Sequence, residues 1–210
     1  MRPQFSIITP VFNPPHEAFE QCIKSVYAQK ITDWQWCLVD DKSTDSYVAK
    51  RLKELQVLDS RIIVYFRSEN GGIVDASNDA LSLATGEFVV LLDNDDELHT
   101  DALAEVASRI ELDPEIDYIY TDEDKITVDG KHYDEFKKPK WSPERLLAHN
   151  YCSHLSVIRR ELVNAVGRFR RGFEGSQDYD LILRIVEKTS RIAHIPKVLY
   201  HWRSVPGSVS

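Results

Sequence analysis

The first hundred residues alternate apolar segments with amphipathic ones, and this alternation constrains the fold more than any other feature. The segments between the apolar runs have helical periodicity. In 18–27, for example, apolar residues recur at helical spacing. Repeated strand–helix order predicts a mostly parallel, Rossmann-like central sheet flanked by helices, which is an α/β fold. The four predicted strands lie at 5–12, 34–39, 62–66 and 87–92.

The pattern loosens after Asp93. We predict a helix at 102–112, a hairpin that turns at Asp129-Gly130, and a helix at 177–188. No internal repeat and no linker rich in Pro or Ser interrupts the chain. We therefore expect one domain over 1–210 with an elaborated second half.

Charge is unevenly distributed along the chain. There are 26 Lys and Arg against 34 Asp and Glu, a formal net charge of −8. The segment from Asp93 to Asp124 holds 13 acidic residues and one basic residue, Arg109, so the remaining residues are mildly basic. An acidic balance argues against nucleic acid as a partner, because proteins that bind it usually carry a basic face.

The sequence indicates neither export nor a membrane span. Its first apolar run is too short for a signal peptide, and its longest, 88–92, cannot cross a bilayer. Three cysteines without C-x-x-C spacing predict reduced core thiols. We expect a cytoplasmic protein; basic groups at 137–140 and 168–171 leave open a peripheral contact with the inner face of the membrane. The oligomeric state is left open.

Polar or glycine-rich segments lie at or after the ends of the four predicted strands. They are Thr9-Pro10, Asp40-Asp41, Asn70-Gly71-Gly72 and Asp93-Asn94-Asp95-Asp96. Each alone is a common turn signal. Because ligands of open parallel sheets bind beyond the carboxyl ends of the strands, the four together predict a ligand site at that edge.

The cluster at 93–96 is the sharpest of these signals. Three carboxylates within four residues repel one another unless a positive charge lies among them, and a divalent cation is the usual one. The alternative is that these acids only favour the start of the helix at 102–112. Since Thr100 or Asp101 can cap that helix, we favour the metal.

A second constellation lies at 177–181, at the start of a predicted helix. Helical spacing places Asp178 with the inward-facing apolar residues and Asp180 on the opposite, polar face, four residues before Arg184. We therefore expect Asp180 to be a surface ion-pair residue. An inward carboxylate at a helix start suits a general base, although a buried acid satisfied by helix amides has the same spacing.

Six short motifs, which follow one another along the chain, resemble the signature of family 2 glycosyltransferases. These are inverting, nucleotide-sugar-dependent enzymes with the GT-A fold. The resemblance runs from residue 5 to about 203. The segments 120–125 and 194–203 further resemble bacterial members that build O-antigen and other surface polysaccharides. The motifs are Ser-Ile-Ile-Thr-Pro-Val-Phe-Asn (6–13), Val-Asp-Asp-Lys-Ser-Thr-Asp (39–45), Asn-Gly-Gly (70–72) with Ala-Ser-Asn (76–78), Ala-Thr-Gly-Glu-Phe (84–88), Leu-Asp-Asn-Asp-Asp (92–96) and Gln-Asp-Tyr-Asp-Leu (177–181).

The resemblance implies a nucleotide-sugar-binding half at 1–98 and an acceptor-binding half at 99–210. It implies that Asp95 binds Mn²⁺ or Mg²⁺ and that Asp178 is the catalytic base, with His201 as a further candidate metal ligand. An ordinary histidine at a strand end is an equal alternative for His201. The implied nucleotide-sugar contacts are Thr9, Pro10, Val11, Asp41, Asn70, Ser77, Asp93 and Asn94.

Acceptor contacts are the weakest of these expectations. Asp122, Glu123, His154 and Glu174 are candidates, and a solvated turn or a core histidine explains such residues equally well. The sequence also departs from the family at two positions. Gln177 stands where many members have Glu, and Lys42 stands where Gly is common.

The expected function is inverting transfer of a sugar from a UDP- or dTDP-linked donor to a hydroxyl of a glycan or polyprenyl-linked acceptor, in bacterial surface polysaccharide synthesis. One alternative is a non-catalytic sugar-nucleotide-binding module of a longer synthase. Another is a sugar-1-phosphate nucleotidyltransferase, which normally has a Gly-rich, Arg-containing loop after the first strand. The segment Asn13-Pro14-Pro15-His16 does not resemble that loop.

Overall fold

The computed structural model describes residues 3–204. Their strands are β1 (Phe5–Val11), β2 (Trp34–Asp40), β3 (Ile62–Phe66), β4 (Phe88–Leu91), β5 (Glu97–Leu98), β6 (Tyr118–Ile126), β7 (His132–Phe136), β8 (Ser156–Arg159) and β9 (Ile192–Arg203). The helices are α1 (His16–Tyr27), α2 (Ser46–Leu58), α3 (Gly72–Leu83), α4 (Ala102–Leu112), α5 (Pro143–Ala148), α6 (Arg160–Ala165) and α7 (Gln177–Val186).

One mixed sheet organises the described chain, in the order β3-β2-β1-β4-β8-β6-β9-β5, with β7 paired to β6. The first four strands are mutually parallel, as their alternation with helices predicts. In the second half β6 and β9 are parallel, whereas β8 pairs antiparallel with both β4 and β6. The α/β expectation is confirmed, and each antiparallel pairing involves at least one strand of the second half.

Apolar side chains pack on both faces of this sheet, so the molecule has three layers. On one face lie residues of α1, α2 and α4, such as Phe19, Leu52 and Leu103. The other face carries residues of α3 and α7, such as Ala80 and Leu181. Because both faces are covered, the strands of the parallel half are almost continuously apolar, and polar groups are left to the segments beyond the strand ends.

The second half holds the differences from the predicted elements. The last part of the described chain forms the long strand β9, whose pairing with β6 shifts register near Asp122. The sequence pattern missed β5 and α6, which have two and six residues and are too short to show a period. Among residues 3–204, none of the helices has the length and apolar character needed to cross a bilayer.

Candidate active site

The segments beyond the ends of β1, β2, β3 and β4 line one cavity of about 380 Å³. Parallel topology brings them together, as the strand-end signals predict. The lining residues are Pro10, Val11, Phe12, Asp41, Asn70, Gly72, Ile73, Ala76, Asp93, Asn94 and Asp95. Six of the eight residues implied as nucleotide-sugar contacts are therefore found at one place.

Asp41 anchors the loop that starts α3. Its buried carboxylate accepts hydrogen bonds from the amides of Gly71 and Gly72, at 2.9 and 2.8 Å, and lies 3.1 Å from Nε of Arg67. The side chain of Asn70 donates to the backbone carbonyl of Asp41 at 2.9 Å. Asp41 thus fixes this wall of the cavity.

Lys42 shows why glycine is common at this position in the family. Its φ is +64°, in the left-handed region that favours glycine. Neighbouring polar contacts hold the loop: Asp40 accepts from the amide of Ser43 at 3.0 Å, and Asn13 accepts from the amide of Thr44 at 2.9 Å. The departure from glycine changes the side chain without removing the turn.

Two expected nucleotide contacts lie outside this cavity. Thr9 is fully buried, and its hydroxyl accepts a hydrogen bond from Nε1 of Trp36 at 2.9 Å. It therefore supports the cavity from within the core, and its expected place in the lining is corrected. Ser77 lines a smaller, adjoining cavity.

Asn94 stabilises the acidic turn, because its side chain donates to the carbonyl of Pro10 at 2.8 Å.

The three carboxylates of the acidic turn, Asp93 to Asp96, differ in their hydrogen bonds. Asp96 is buried and accepts hydrogen bonds from the hydroxyl of Tyr200 at 2.6 Å and from the amide of Arg203 at 2.7 Å. Within residues 3–204, no Lys or Arg forms an ion pair with Asp93 or Asp95. These two carboxylates are the ones available to a ligand.

Burial makes these carboxylates unusually basic. It raises the pKa of Asp93 to about 6, and the nearby carboxylates of Asp178 and Asp95 add to that shift while His154 opposes it. Burial also raises the pKa of Asp95. Buried carboxylates that lie close together beyond the end of a strand repel one another and lower the stability of the fold. A bound cation relieves this repulsion.

The acidic turn does not cap α4. Asp101 occupies the N-cap position without a side-chain cap, and the Thr100 hydroxyl donates to the carbonyl of Ala28 at 2.7 Å. The expectation that Thr100 or Asp101 caps this helix is wrong. Tertiary contacts determine where α4 begins. None of the hydrogen bonds that Asp96 accepts comes from the amides of α4.

Asp178 reaches the acidic turn from the other half of the chain. It lies in the first turn of α7, and together with Asp93 it lines a cavity of about 20 Å³. This cavity shares Pro10, Ile73 and Asp93 with the larger one. Burial raises the pKa of Asp178 to about 6, partly offset by the side-chain amide of Gln177, 3.5 Å away.

Asp180 forms the expected ion pair but is not on the surface. Its side chain is 5% exposed and accepts from Nε of Arg170 at 3.1 Å and from Arg184 at 2.7 Å. The helical wheel predicted the opposite order of burial: Asp178 is only partly buried, whereas the loop that carries Arg170 covers Asp180. Asp180 therefore holds the loop before α7 in place.

Asp122 and Glu123 lie inside the protein, which corrects their assignment to an acceptor surface. Asp122 accepts from the amide of Lys138 at 2.9 Å and lies 2.7 Å from Nε2 of His194. Glu123 pairs with the buried ammonium of Lys138 at 2.8 Å and accepts from the amide of His154 at 3.1 Å. Both carboxylates are committed to holding β6 and its neighbours together.

The other two acceptor candidates have different surroundings. His154 stacks on Tyr200 with ring centroids 4.5 Å apart, and its ring nitrogen lies within 4.8 Å of carboxylate oxygens of Asp93 and Asp96. It therefore borders the acidic turn. Glu174 is exposed in the loop before α7, where it accepts from the amide of Gly172 at 3.0 Å.

His201 joins a different group of side chains from the one expected. Its Nδ1 lies 2.6 Å from a carboxylate oxygen of Asp124, and His132 lies on the other oxygen at 2.9 Å. Among residues 3–204, Asp95 belongs to neither of the two groups whose geometry could hold a metal ion, which are Asp124, His132, His201 and Asp93, Asp96, His154. The structure thus corrects the pairing of His201 with Asp95.

Sequence reasoning missed three lining residues, Phe12, Ile73 and Ala76. Phe12 is 47% exposed although it directly follows a buried strand, and an aromatic residue at such a position was an available signal. Ile73 follows the two glycines of the Asn-Gly-Gly motif. These apolar side chains give the cavity a surface on which a flat ring can pack.

Comparison with known proteins agrees with the fold and the motifs. The family model described as glycosyl transferase family 2 matches residues 6–167. The chain belongs to glycosyltransferase family 2. Its match to the staphylococcal protein TarS, residues 1–349 in complex with UDP, has a TM-score of 0.78 at 23% identity and covers 98% of this chain and 61% of that one. The GT-A fold is therefore confirmed.

Two curated relatives are much larger than this chain. Protein y4gI of Sinorhizobium fredii is 45% identical over 99% of this chain and 23% of its own length. The O-antigen biosynthesis protein RfbC of Myxococcus xanthus is 42% identical over 96% of this chain and 16% of its own length. The chain thus spans less than a quarter of either relative.

Proposed function

We propose that this family 2 glycosyltransferase chain transfers a sugar from a UDP- or dTDP-linked donor to an acceptor hydroxyl, with inversion at the anomeric carbon. One observation carries the proposal. Asp93, just after β4, and Asp178, at the start of α7, line the same small cavity, which shares Pro10, Ile73 and Asp93 with the larger strand-end cavity. A donor site and a candidate base are therefore adjacent.

The nucleotide half of the donor suits the larger cavity. Phe12, Ile73 and Ala76 offer apolar contacts to a base, and Pro10, Val11, Asp41 and Asn70 complete that wall. Asp93 and Asn94 also line this cavity, and in this proposal they contact the ribose and the diphosphate. TarS, whose fold this chain shares, has been solved in complex with UDP and with UDP-GlcNAc.

Asp178 suits the role of general base. With a pKa of about 6 it is ionised at neutral pH yet basic enough to take a proton in a transition state. As the acceptor oxygen forms its bond to the anomeric carbon, the hydroxyl proton passes to Asp178. The bond from that carbon to the diphosphate oxygen breaks on the opposite face, and one displacement inverts the centre.

The acidic turn fits a divalent cation, Mn²⁺ or Mg²⁺, held by Asp95 together with diphosphate oxygens. The raised pKa values of Asp93 and Asp95 and the absence of a Lys or Arg partner for either within residues 3–204 support this assignment. Such a cation, when bound, stabilises the negative charge of the departing nucleoside diphosphate. A complex of a Pyrobaculum calidifontis mannosyltransferase contains GDP-mannose and Mn²⁺.

The acceptor and the biological setting rest on the relatives. RfbC of M. xanthus is named for O-antigen biosynthesis, and TuaG of Bacillus subtilis for teichuronic acid. We propose a glycan or polyprenyl-linked acceptor, taken up by the half of the chain at 99–210 at the cytoplasmic face of the membrane. His154 and Glu174 remain the candidate acceptor contacts.

Substitution of Asp178 tests the proposal. Asp178→Asn keeps the size of the side chain but cannot take the proton, so sugar transfer and slow donor hydrolysis should fall by roughly 10²–10⁴-fold. Binding of UDP, measured by calorimetry, should stay within about twofold, because the change lies outside the larger cavity. Near-normal turnover in this variant would contradict the assignment of the base.

The length of the relatives favours a second candidate, a non-catalytic sugar-nucleotide-binding module of a longer synthase. The chain covers only 23% and 16% of the two curated relatives described above. A module would bind UDP-sugars without releasing UDP. Metal-dependent release of UDP from donor by the chain alone, lost in Asp178→Asn, would exclude this candidate.

A further inference from the structure

Outside the proposed donor site, three strands bring two histidines onto a single carboxylate. Asp124 lies near the end of β6, His201 is its partner in the register of β9, and His132 begins β7 after the hairpin turn. Nδ1 of His201 lies 2.6 Å from Oδ1 of Asp124, and Nδ1 of His132 lies 2.9 Å from Oδ2. Each carboxylate oxygen therefore faces one imidazole.

The rings converge on the carboxylate. Their centroids are 4.5 Å apart and their planes are nearly perpendicular, at 82°. The side chains of Asp124 and His201 are 13% and 11% exposed, whereas that of His132 is 54% exposed. Asp124 and His201 are thus held in place on β6 and β9, and the cluster is open to solvent on the side of His132 at the hairpin.

This carboxylate differs from its neighbours on β6 in its partners. Glu123 is paired with Lys138, and Asp117, just before β6, is paired with arginines; in the described part of the chain Asp122 and Asp124 pair only with imidazoles, one for Asp122 and two for Asp124. Imidazole nitrogens and a carboxylate oxygen are ligands that Zn²⁺ and similar transition metals prefer, while Mg²⁺ prefers oxygen. The ligand atoms of all three residues lie within 4.8 Å of one another.

We propose that Asp124, His132 and His201 form a transition-metal site of the Zn²⁺ class, separate from the cation at Asp95. Two imidazoles and one carboxylate supply three ligands of a tetrahedral site, and the fourth position faces the open side. In a tetrahedral site with bonds of about 2.0–2.1 Å, ligand atoms lie roughly 3.4 Å apart. His132 must therefore move outward by about 0.5 Å, which its exposure permits, and His201 and Asp124 must separate by about 0.8 Å.

Binding needs no net loss of a proton from a neutral imidazole, because its proton moves from Nδ1 to Nε2 as Nδ1 takes the metal. The metal would join the hairpin before β7 to strand β9. This role is structural and does not depend on the proposed donor or base. Failure of the site would leave the proposed function untouched.

Cobalt titration of the metal-free chain tests the site without an activity assay, because tetrahedral Co²⁺ absorbs visible light strongly and replaces Zn²⁺. We expect one Co²⁺ per chain, displaced by Zn²⁺, in the absence of nucleotide. His132→Gln should weaken binding at least tenfold, since it removes a ligand from an exposed position. A thermal melt of the metal-free variant checks that it is folded.

Two variants serve as controls. His99→Gln removes a histidine whose ring lies 5.8 Å from that of His201 and whose Nδ1 already accepts the amide of Asp101, so cobalt binding should not change. Asp95→Asn should also leave it unchanged. The proposal is overturned if wild-type protein shows no tetrahedral cobalt spectrum, if His132→Gln binds cobalt normally, or if Asp95→Asn abolishes binding.

Discussion

Two parts of the same acidic segment have opposite environments. On β6 and immediately before it, the carboxylates of Asp117, Asp122 and Glu123 are buried, and each meets basic side chains: arginines for Asp117, His194 for Asp122 and Lys138 for Glu123. In the acidic turn after β4, Asp93 and Asp95 have no Lys or Arg ion-pair partner within residues 3–204. Both parts contribute equally per residue to the negative charge of the segment.

The difference shows that the number of acids does not mark a functional site; the number without partners does. A paired buried acid stabilises the fold once it is formed, and removing its partner is costly. An unpaired acid beside another acid destabilises the fold, and such strain is retained where a ligand uses it. By this criterion we predict that the paired acids at β6 stabilise the fold and that the acidic turn binds a ligand.

The largest effect is expected from unpairing an acid on β6. Lys138→Ala leaves the carboxylate of Glu123 buried without its ammonium, which lies 2.8 Å away and is fully buried. We expect a loss of about 3–5 kcal/mol in the free energy of unfolding, measured by urea denaturation.

The neighbouring Lys137 is the matched control for this prediction. Its side chain is 77% exposed and lies 3.7 Å from Glu135, so Lys137→Ala should change stability by less than about 0.5 kcal/mol. Equal effects of the two substitutions would show that β6 does not depend on its ion pairs.

The opposite effect is expected in the acidic turn. The pKa of Asp93 is raised from 3.8 to about 6, so the folded state loses stability as pH rises through that window, and the penalty is complete above it. Asp93→Asn removes the penalty. Without divalent cation it should raise the free energy of unfolding by roughly 1–2 kcal/mol at pH 7, after allowance for partial exposure.

The same variant should gain nothing near pH 4, where Asp93 is protonated in the wild type. Denaturation at both pH values measures the difference directly. A destabilised Asp93→Asn at pH 7 would mean that this carboxylate has a stabilising partner after all.

A smaller effect is expected in the pH dependence of turnover. Asp178 must be ionised to accept a proton, and its pKa is raised to about 6, so kcat should fall about tenfold per pH unit below that value and level off above it. Gln177→Glu replaces the amide beside Asp178 by a negative charge and should move this limb to higher pH. If Gln177→Glu left this limb unchanged, the fall of kcat at low pH would not report the ionisation of Asp178.

The parallel half could be predicted from sequence because its signals are local. Each strand of that half is an apolar run, and the segment that follows it must reach the same edge of the sheet, so Asp41, Asn70 and Asp93 could be brought together without a structure. Helical spacing did not predict the burial of the two acids of α7, because Asp180 is buried and Asp178 is only partly buried.

The second half could not be predicted to the same extent, because the burial and pairing of its residues depend on contacts with residues that are distant in the chain. The burial of Asp122 and Glu123 requires Lys138 and His194, which come from other elements and carry no periodic signal. The pairing of β8 between β4 and β6 likewise depends on strands that are far apart in the chain. His201 was therefore recognised as a metal-ligand type but assigned to the wrong neighbours.

Nucleotide binding with and without Mn²⁺ tests the central claim most directly, namely that the unpaired acids of the turn bind a cation together with a nucleoside diphosphate. Calorimetry with UDP, dTDP and GDP needs no knowledge of the sugar or the acceptor. We predict that UDP or dTDP binds at least tenfold more tightly with Mn²⁺, and that Asp95→Asn removes this dependence. Binding that is indifferent to Mn²⁺ in the wild type, or no binding of any of the three, would contradict the account.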